Sequence, residues 1–201
     1  MKNRLQIASA AVVLVAFAVQ RADAALILTI QPSGSDVVVS GSGSLNLGAA
    51  SPGNEPLPIE GNLWPVGGFF AVGPHMHGYD FYDIVAVGPS SFGTGPGTPA
   101  STGTGDTFGL SFTDRRIFLP EGYGSAGPLS GTSTYEDRTL DSLGLAPGTY
   151  QWTTEASDGL GGVVQDSITL NVVPEPGAFG VCAAAGALGF AMMRRGLPGK
   201  G

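Results

Sequence analysis

Apolar and polar residues alternate one by one along several short stretches of this chain, and glycine, proline, asparagine or aspartate separates the stretches. From Asp36 to Leu47 the pattern sets Val37, Val39, Leu45 and Leu47 on one side and Ser40, Ser42, Ser44 and Asn46 on the other. Phe108, Leu110 and Phe112 repeat it, as do Tyr150, Trp152 and Thr154, and then Ile168, Leu170 and Val172. Successive side chains of a strand point to opposite faces, so a period of two means a strand with one buried face. No window between the two chain ends carries a helical period. The 33 glycines and 15 prolines in 201 residues follow no Gly-X-Y repeat. That composition suits strands and turns, not a collagen.

The expected fold is therefore all-β: an antiparallel β-sandwich, immunoglobulin-like or related. It is flanked by an N-terminal signal helix and a C-terminal transmembrane helix. The clearest local unit runs from Gly144 to Val172. Pro147-Gly148 makes a turn, Gly148 to Glu155 a strand, and Asp158-Gly159 with Gly161-Gly162 reverses the chain into a second strand. Another strand is expected from Tyr79 to Val87. Ser51 to Gly61 and Gly88 to Asp106 read as loops, the second long enough to be mobile or functional.

Charge narrows the partners. Between Ala25 and Val173 there are fourteen carboxylates against Arg115, Arg116 and Arg138, with no lysine, a formal charge of −11. Nucleic-acid binding needs Lys and Arg to displace counterions, so it is excluded as a function. Calcium, cationic surfaces and neutral glycans stay open as partners. Cys182, the one cysteine, falls in the C-terminal apolar run, so the body has no internal disulfide.

Both ends carry addresses. Lys2 and Arg4 precede the apolar Ile7–Val19, and Ala22-Asp23-Ala24 supplies the small-x-small pattern that signal peptidase needs. Residues 1–24 thus read as a signal peptide cleaved after Ala24. At the other end, Gly177–Met193 is a Gly/Ala-rich apolar run of 17 residues, followed by Arg194, Arg195 and Lys200. As a helix it spans about 25 Å, less than the ~30 Å hydrocarbon core. It is a weak anchor whose basic tail stays cytoplasmic.

Val173-Pro174-Glu175-Pro176, the apolar run and Arg194-Arg195 together resemble the PEP-CTERM sorting signal of exported proteins in Gram-negative bacteria. The resemblance implies an exosortase, a membrane-embedded transpeptidase-like enzyme, that removes the tail, and an association with exopolysaccharide and biofilm. It divides the chain into residues 1–24, an exported β-rich body over residues 25–173, and a sorting signal over residues 174–201. The body also resembles a recurrent group of such proteins. Gly122-Tyr123-Gly124-Ser125 and Ser142–Tyr150 match elements that precede a Trp-containing strand there. The partners implied are signal peptidase, exosortase, the inner membrane transiently, and exopolysaccharide. The destination is the cell surface or extracellular space.

The remaining chemistry is sparse. His75 and His77 are two apart, so a strand would aim both imidazoles to one side, and Asp80 and Asp83 are near enough in sequence to complete a metal shell. A Gly/Pro-bounded aromatic loop leading into a strand accounts for the same residues. No Gly-x-Ser-x-Gly elbow, no calcium loop and no Asn-x-Ser/Thr acceptor occurs. Trp152, in an alternating strand, reads as core. These observations describe a non-enzymatic exported protein without a cofactor. A glycan- or metal-binding module using Trp64, His75, His77 and Asp80 is the alternative.

Overall fold

In a computed structural model, which describes residues 25–53, 59–74 and 78–175, the alternating stretches are strands. These residues form β1 (Ala25–Ser33), β2 (Asp36–Gly43), β3 (Asn62–Trp64), β4 (Phe69–Val72), β5 (Tyr79–Asp83), β6 (Val85–Val87) and β7 (Thr98–Pro99). After them come β8 (Thr102–Gly105), β9 (Phe108–Ser111), β10 (Arg116–Pro120), β11 (Leu129–Tyr135), β12 (Gly148–Ser157) and β13 (Val163–Val172). The helical content of the described residues is a single 3-10 turn, Pro65–Gly67.

The strands make two sheets, ordered β6-β12-β13-β1-β2-β11-β8 and β5-β10-β9-β4-β3-β7. Every pairing is antiparallel except β1 with β13, which run parallel with Ala25 opposite Ser167 and Ile30 opposite Val172. β1 and β13 are the first and last strands among the described residues and share no hairpin, so no tight turn imposes an antiparallel pairing on them. The long hairpin β12–β13 forms as its turn residues predict, ten residues on each side.

Inward residues of both sheets meet in one apolar core. Leu26, Leu28, Ile30, Val37, Val39, Trp152, Ile168 and Leu170 come from the first sheet, and Leu63, Phe70, Phe108, Leu110 and Ile117 from the second. Phe70 and Trp152 touch across the two layers, ring centroids 5.7 Å apart. Gly41 and Gly131 are register partners on β2 and β11. A methyl at Gly41 would stand 2.8 Å from the Phe108 ring, and one at Gly131 would stand 3.2 Å from it. The two bare backbones form a seat for that phenylalanine, a large-on-small match of the kind close packing requires.

Two sequence expectations need correction. Tyr79 to Val87 is not one strand. It breaks at Ile84, so β5 pairs with β10 in the second sheet while β6 pairs with β12 in the first. Ile84 is buried at the corner, its N–H donating to Arg115 O at 3.2 Å. Phe81 and Tyr82 are both buried, so strict alternation had already failed there. Gly88 to Asp106 is not structureless either, since it contains β7, β8 and the buried Phe92. Thr94 and Gly95 both donate to Gly144 O, at 2.8 and 3.2 Å. A side chain at Gly93 or Gly95 would fall within 2.0 Å of a carbonyl oxygen of the 143–144 segment, so these glycines serve close backbone approach.

Strands β4, β9 and β10 are buried on both faces, which hides the period of β4 and β10, while β9 still alternates Phe108 and Leu110 with Gly109 and Ser111. On the outer side of the second sheet, Phe118 meets Phe69 at 5.9 Å and Tyr79 at 5.4 Å, both edge-on.

Candidate functional site

The Gly122–Ser125 element has a structural task. The Tyr123 hydroxyl accepts from Leu45 N at 3.0 Å and donates to Gly127 O at 2.6 Å. Ser125 Oγ accepts from Leu47 N at 2.8 Å, and the buried Asp166 carboxylate accepts from Asn46 N. Residues 45–47 continue the β2 alternation outside any sheet, so side chains supply the partners that a neighbouring strand would have given. Burial raises the Tyr123 pKa, its hydrogen bond with Leu45 partly opposes the shift, and the Asp166 charge adds to it.

Ser142–Tyr150 is a second structural device. Tyr150 stands near the start of β12 and its hydroxyl donates back to Ala146 O at 2.9 Å. Trp152 follows two residues later, fully buried as its strand position implies, with Nε1 donating to Pro89 O at 2.8 Å.

Asp80 lies on β5, and its Oδ2 accepts from Gly122 N at 2.8 Å. Its carboxylate thus ties β5 to the turn after β10. His75 and His77 lie outside the described residues. Among the described residues no group of three or more His, Cys, Asp or Glu side chains could hold a metal ion. Asp83 is engaged by Arg116, Nε to Oδ1 3.3 Å, while the guanidinium stacks 4.3 Å above the Phe81 ring.

Trp64 is different. It ends β3 and is 45% exposed. A methyl at Gly67 would fall 2.7–2.9 Å from Cδ2, Cε2 and Cε3 of the indole, so the glycine backbone underlies the ring's fused bond. Trp64 and Asp80 share a sheet but stand on strands four steps apart, about 19 Å at the usual inter-strand spacing. The two are therefore not neighbours in one site.

The outer face of the first sheet is rich in hydroxyls. One row crosses it through Thr149, Asn171, Thr29, Ser40, Thr132 and Thr104, by the registers of successive strands. Thr149 bonds Asn171 at 2.9 Å, and Thr104 and Thr132 share a 2.8 Å contact.

Of the expected processing residues, Val173, Pro174 and Glu175 are described. Val173 N donates to Ile30 O at 2.8 Å, the last backbone tie to the body. Glu175 Oε1 accepts from Leu140 N at 3.3 Å, beside Pro32, Gly34, Ser35 and Arg138. Ala22, Ala24, Pro176, Arg194 and Arg195 lie outside the described residues, as does the Gly177–Met193 run. No helix among the described residues is long and apolar enough to cross a membrane.

Comparisons of the chain with protein-family models, curated proteins and solved structures give no match.

Proposed function

We propose that this chain is an exported protein of the cell surface or extracellular matrix, cut at both ends, whose mature body is an immunoglobulin-like β-sandwich without catalytic activity. Signal peptidase removes residues 1–24. Exosortase removes the tail after the Val173–Pro176 element, while residues 177–193 with Arg194 and Arg195 hold the chain in the inner membrane until the cut. Exopolysaccharide is its surroundings at the destination.

One observation carries the reading: every strand among the described residues lies between the two cutting sites. Among the described residues β1 starts at Ala25, the residue after the expected signal-peptidase site, and Ser44 N donates to Ala25 O at 3.1 Å. β13 ends at Val172, and Pro174-Glu175 stands outside the ladder. Cuts at these points leave every strand pairing of the described residues in place. The parallel β1–β13 pair puts the start of β1 and the end of β13 at opposite ends of the sheet, so the two enzymes meet separate ends of the body. For the sandwich, the support is a single core shared by both sheets and a Tyr150 hydroxyl that bonds back to the backbone four residues upstream, as in the tyrosine corner of such folds.

The test is fractionation of a host with and without its exosortase. The protein is expected at the cell surface or in the medium when the enzyme is present, and in the inner membrane when it is deleted. Equal distribution in both strains refutes exosortase sorting.

A further inference from the structure

The chain has two tryptophans, and they have opposite surroundings: Trp152 is sealed in the core while Trp64 stands open at 45% exposure. Tryptophan is enriched at contact surfaces, where its large apolar face and polar N–H both serve, so an indole held open on a firm support is a candidate contact. The support is firm because the Gly67 backbone lies under the fused bond of the ring. Val66, in the same turn, is 51% exposed.

A polar group accompanies the ring. Asn62 lies two residues before Trp64 on β3, hence on the same face. Among the described residues its side-chain amide has no hydrogen-bond partner, although it has two donors and an acceptor to offer. A methyl at Gly97 would stand 3.8 Å from Trp64 Cγ and 3.9 Å from Asn62 Oδ1, so both side chains reach over the same bare glycine. Beyond Trp64 the aromatic surface continues inward to its register partner Phe69.

We propose that Trp64 and Asn62 form a subsite for a neutral saccharide chain. The open face of the indole stacks on the C–H face of a pyranose ring, and the Asn62 amide exchanges hydrogen bonds with the hydroxyls at its edge. An apolar platform with a few placed polar groups is the usual make-up of a ligand site. Charge selects the class of sugar. The body carries fourteen carboxylates and three arginines, and Arg116 on this sheet is held by Asp83 and Phe81, so uronate, sulfate or phosphate polymers are repelled. A folded protein partner is disfavoured by size. A stable interface takes about 800 Å² per partner, whereas a half-exposed aromatic offers roughly 100 Å². One or two sugar rings fit that area.

The site is tested by native affinity electrophoresis of the full chain in a sugar-free zwitterionic detergent. The gels contain hydroxyethylcellulose, laminarin or galactomannan, with alginate as the anionic comparison. At least one neutral polymer is expected to retard the chain and alginate is not. Trp64→Ala should weaken that retardation at least tenfold, Asn62→Ala severalfold, and Trp64→Phe should keep part of it. Circular dichroism and thermal unfolding on the same variants show that the fold survives. Sugar binding should also shift Trp64 fluorescence while the Trp64→Phe variant, reporting Trp152 alone, stays still. Retardation by none of the neutral polymers overturns the proposal, as does undiminished retardation in a folded Trp64→Ala variant. Concentration-dependent dimers lost in Trp64→Ala, with no polymer effect, overturn it in favour of self-association.

Discussion

Tyr→Phe exchanges at two positions should move stability in opposite directions. The Tyr135 side chain is 1% exposed and its hydroxyl has no hydrogen-bond partner. Burying such a group without a partner costs about 1–3 kcal/mol, because it gives up its water in the folded state only. Tyr135→Phe removes that cost and leaves a void of about one oxygen atom. At ~24 cal/mol per Å3 of cavity, a void of roughly 10 Å3 costs only about 0.2 kcal/mol. The net effect expected is a gain of about 1 kcal/mol. Tyr123→Phe does the reverse: Leu45 N loses its acceptor and Gly127 O its donor. Leaving two partly buried backbone groups unpaired should cost about 1–3 kcal/mol. Urea unfolding resolves the two. With a slope of about 2 kcal/mol per molar, the midpoint should rise by roughly 0.5 M for Tyr135→Phe and fall by roughly 0.5–1.5 M for Tyr123→Phe. A fall of the midpoint in Tyr135→Phe refutes the reasoning, since it means that the hydroxyl is satisfied. An unchanged midpoint in Tyr123→Phe means that the Tyr123 bonds to Leu45 and Gly127 do not hold the fold together.

Other outcomes follow from the same contacts. Tyr135 has its pKa pushed up by burial and by the Glu60 charge, from an ordinary 10.0. Its contribution is complete below pH 10 and is lost as pH rises further, because the unfolded chain ionises first. Wild type should lose roughly 1.4 kcal/mol more than Tyr135→Phe by pH 11, measurable as a steeper alkaline fall in unfolding midpoint. Gly41→Ala sets a methyl 2.8 Å from the Phe108 ring and should cost about 1–3 kcal/mol by overpacking, against little change for Gly34→Asn in an open turn. Ser133→Ala should cost about 1–3 kcal/mol, because Ser133 Oγ, itself buried, is the acceptor for Gly73 N at 3.1 Å across the two sheets.

How much of this was legible in the sequence depends on how many faces of a strand are buried. β2, β12 and β13 bury one face, so Val37, Val39, Trp152, Ile168, Leu170 and Val172 announce themselves by alternation. Phe70–Val72 and Ile117–Leu119 are buried on both faces, and there the period disappears, whereas β9 keeps the alternation of Phe108 and Leu110 with Gly109 and Ser111 although all four are buried. β6 and β7 are too short for any period, and only distant pairing makes them strands. The glycines at 93 and 95 look like loop residues, yet they mark where two backbones meet. Asn62 carries no sequence signal because a three-residue strand gives no pattern, while Trp64 stands out by residue type alone. Asp80 reads as a candidate metal ligand from its neighbours in sequence, whereas the hydrogen bond its carboxylate accepts from a glycine N–H 42 residues away is something no local spacing could show.

The proposed processing leaves the cell with the folded body from Ala25 to the Pro-Glu-Pro element. Intact-mass and terminal-peptide mass spectrometry of the protein isolated from a host with an active exosortase tests it directly. The expected result is an N-terminus at Ala25 and a C-terminus within or beside Val173–Pro176, with Arg194 and Arg195 absent. A mature chain that still ends at Gly201 contradicts it.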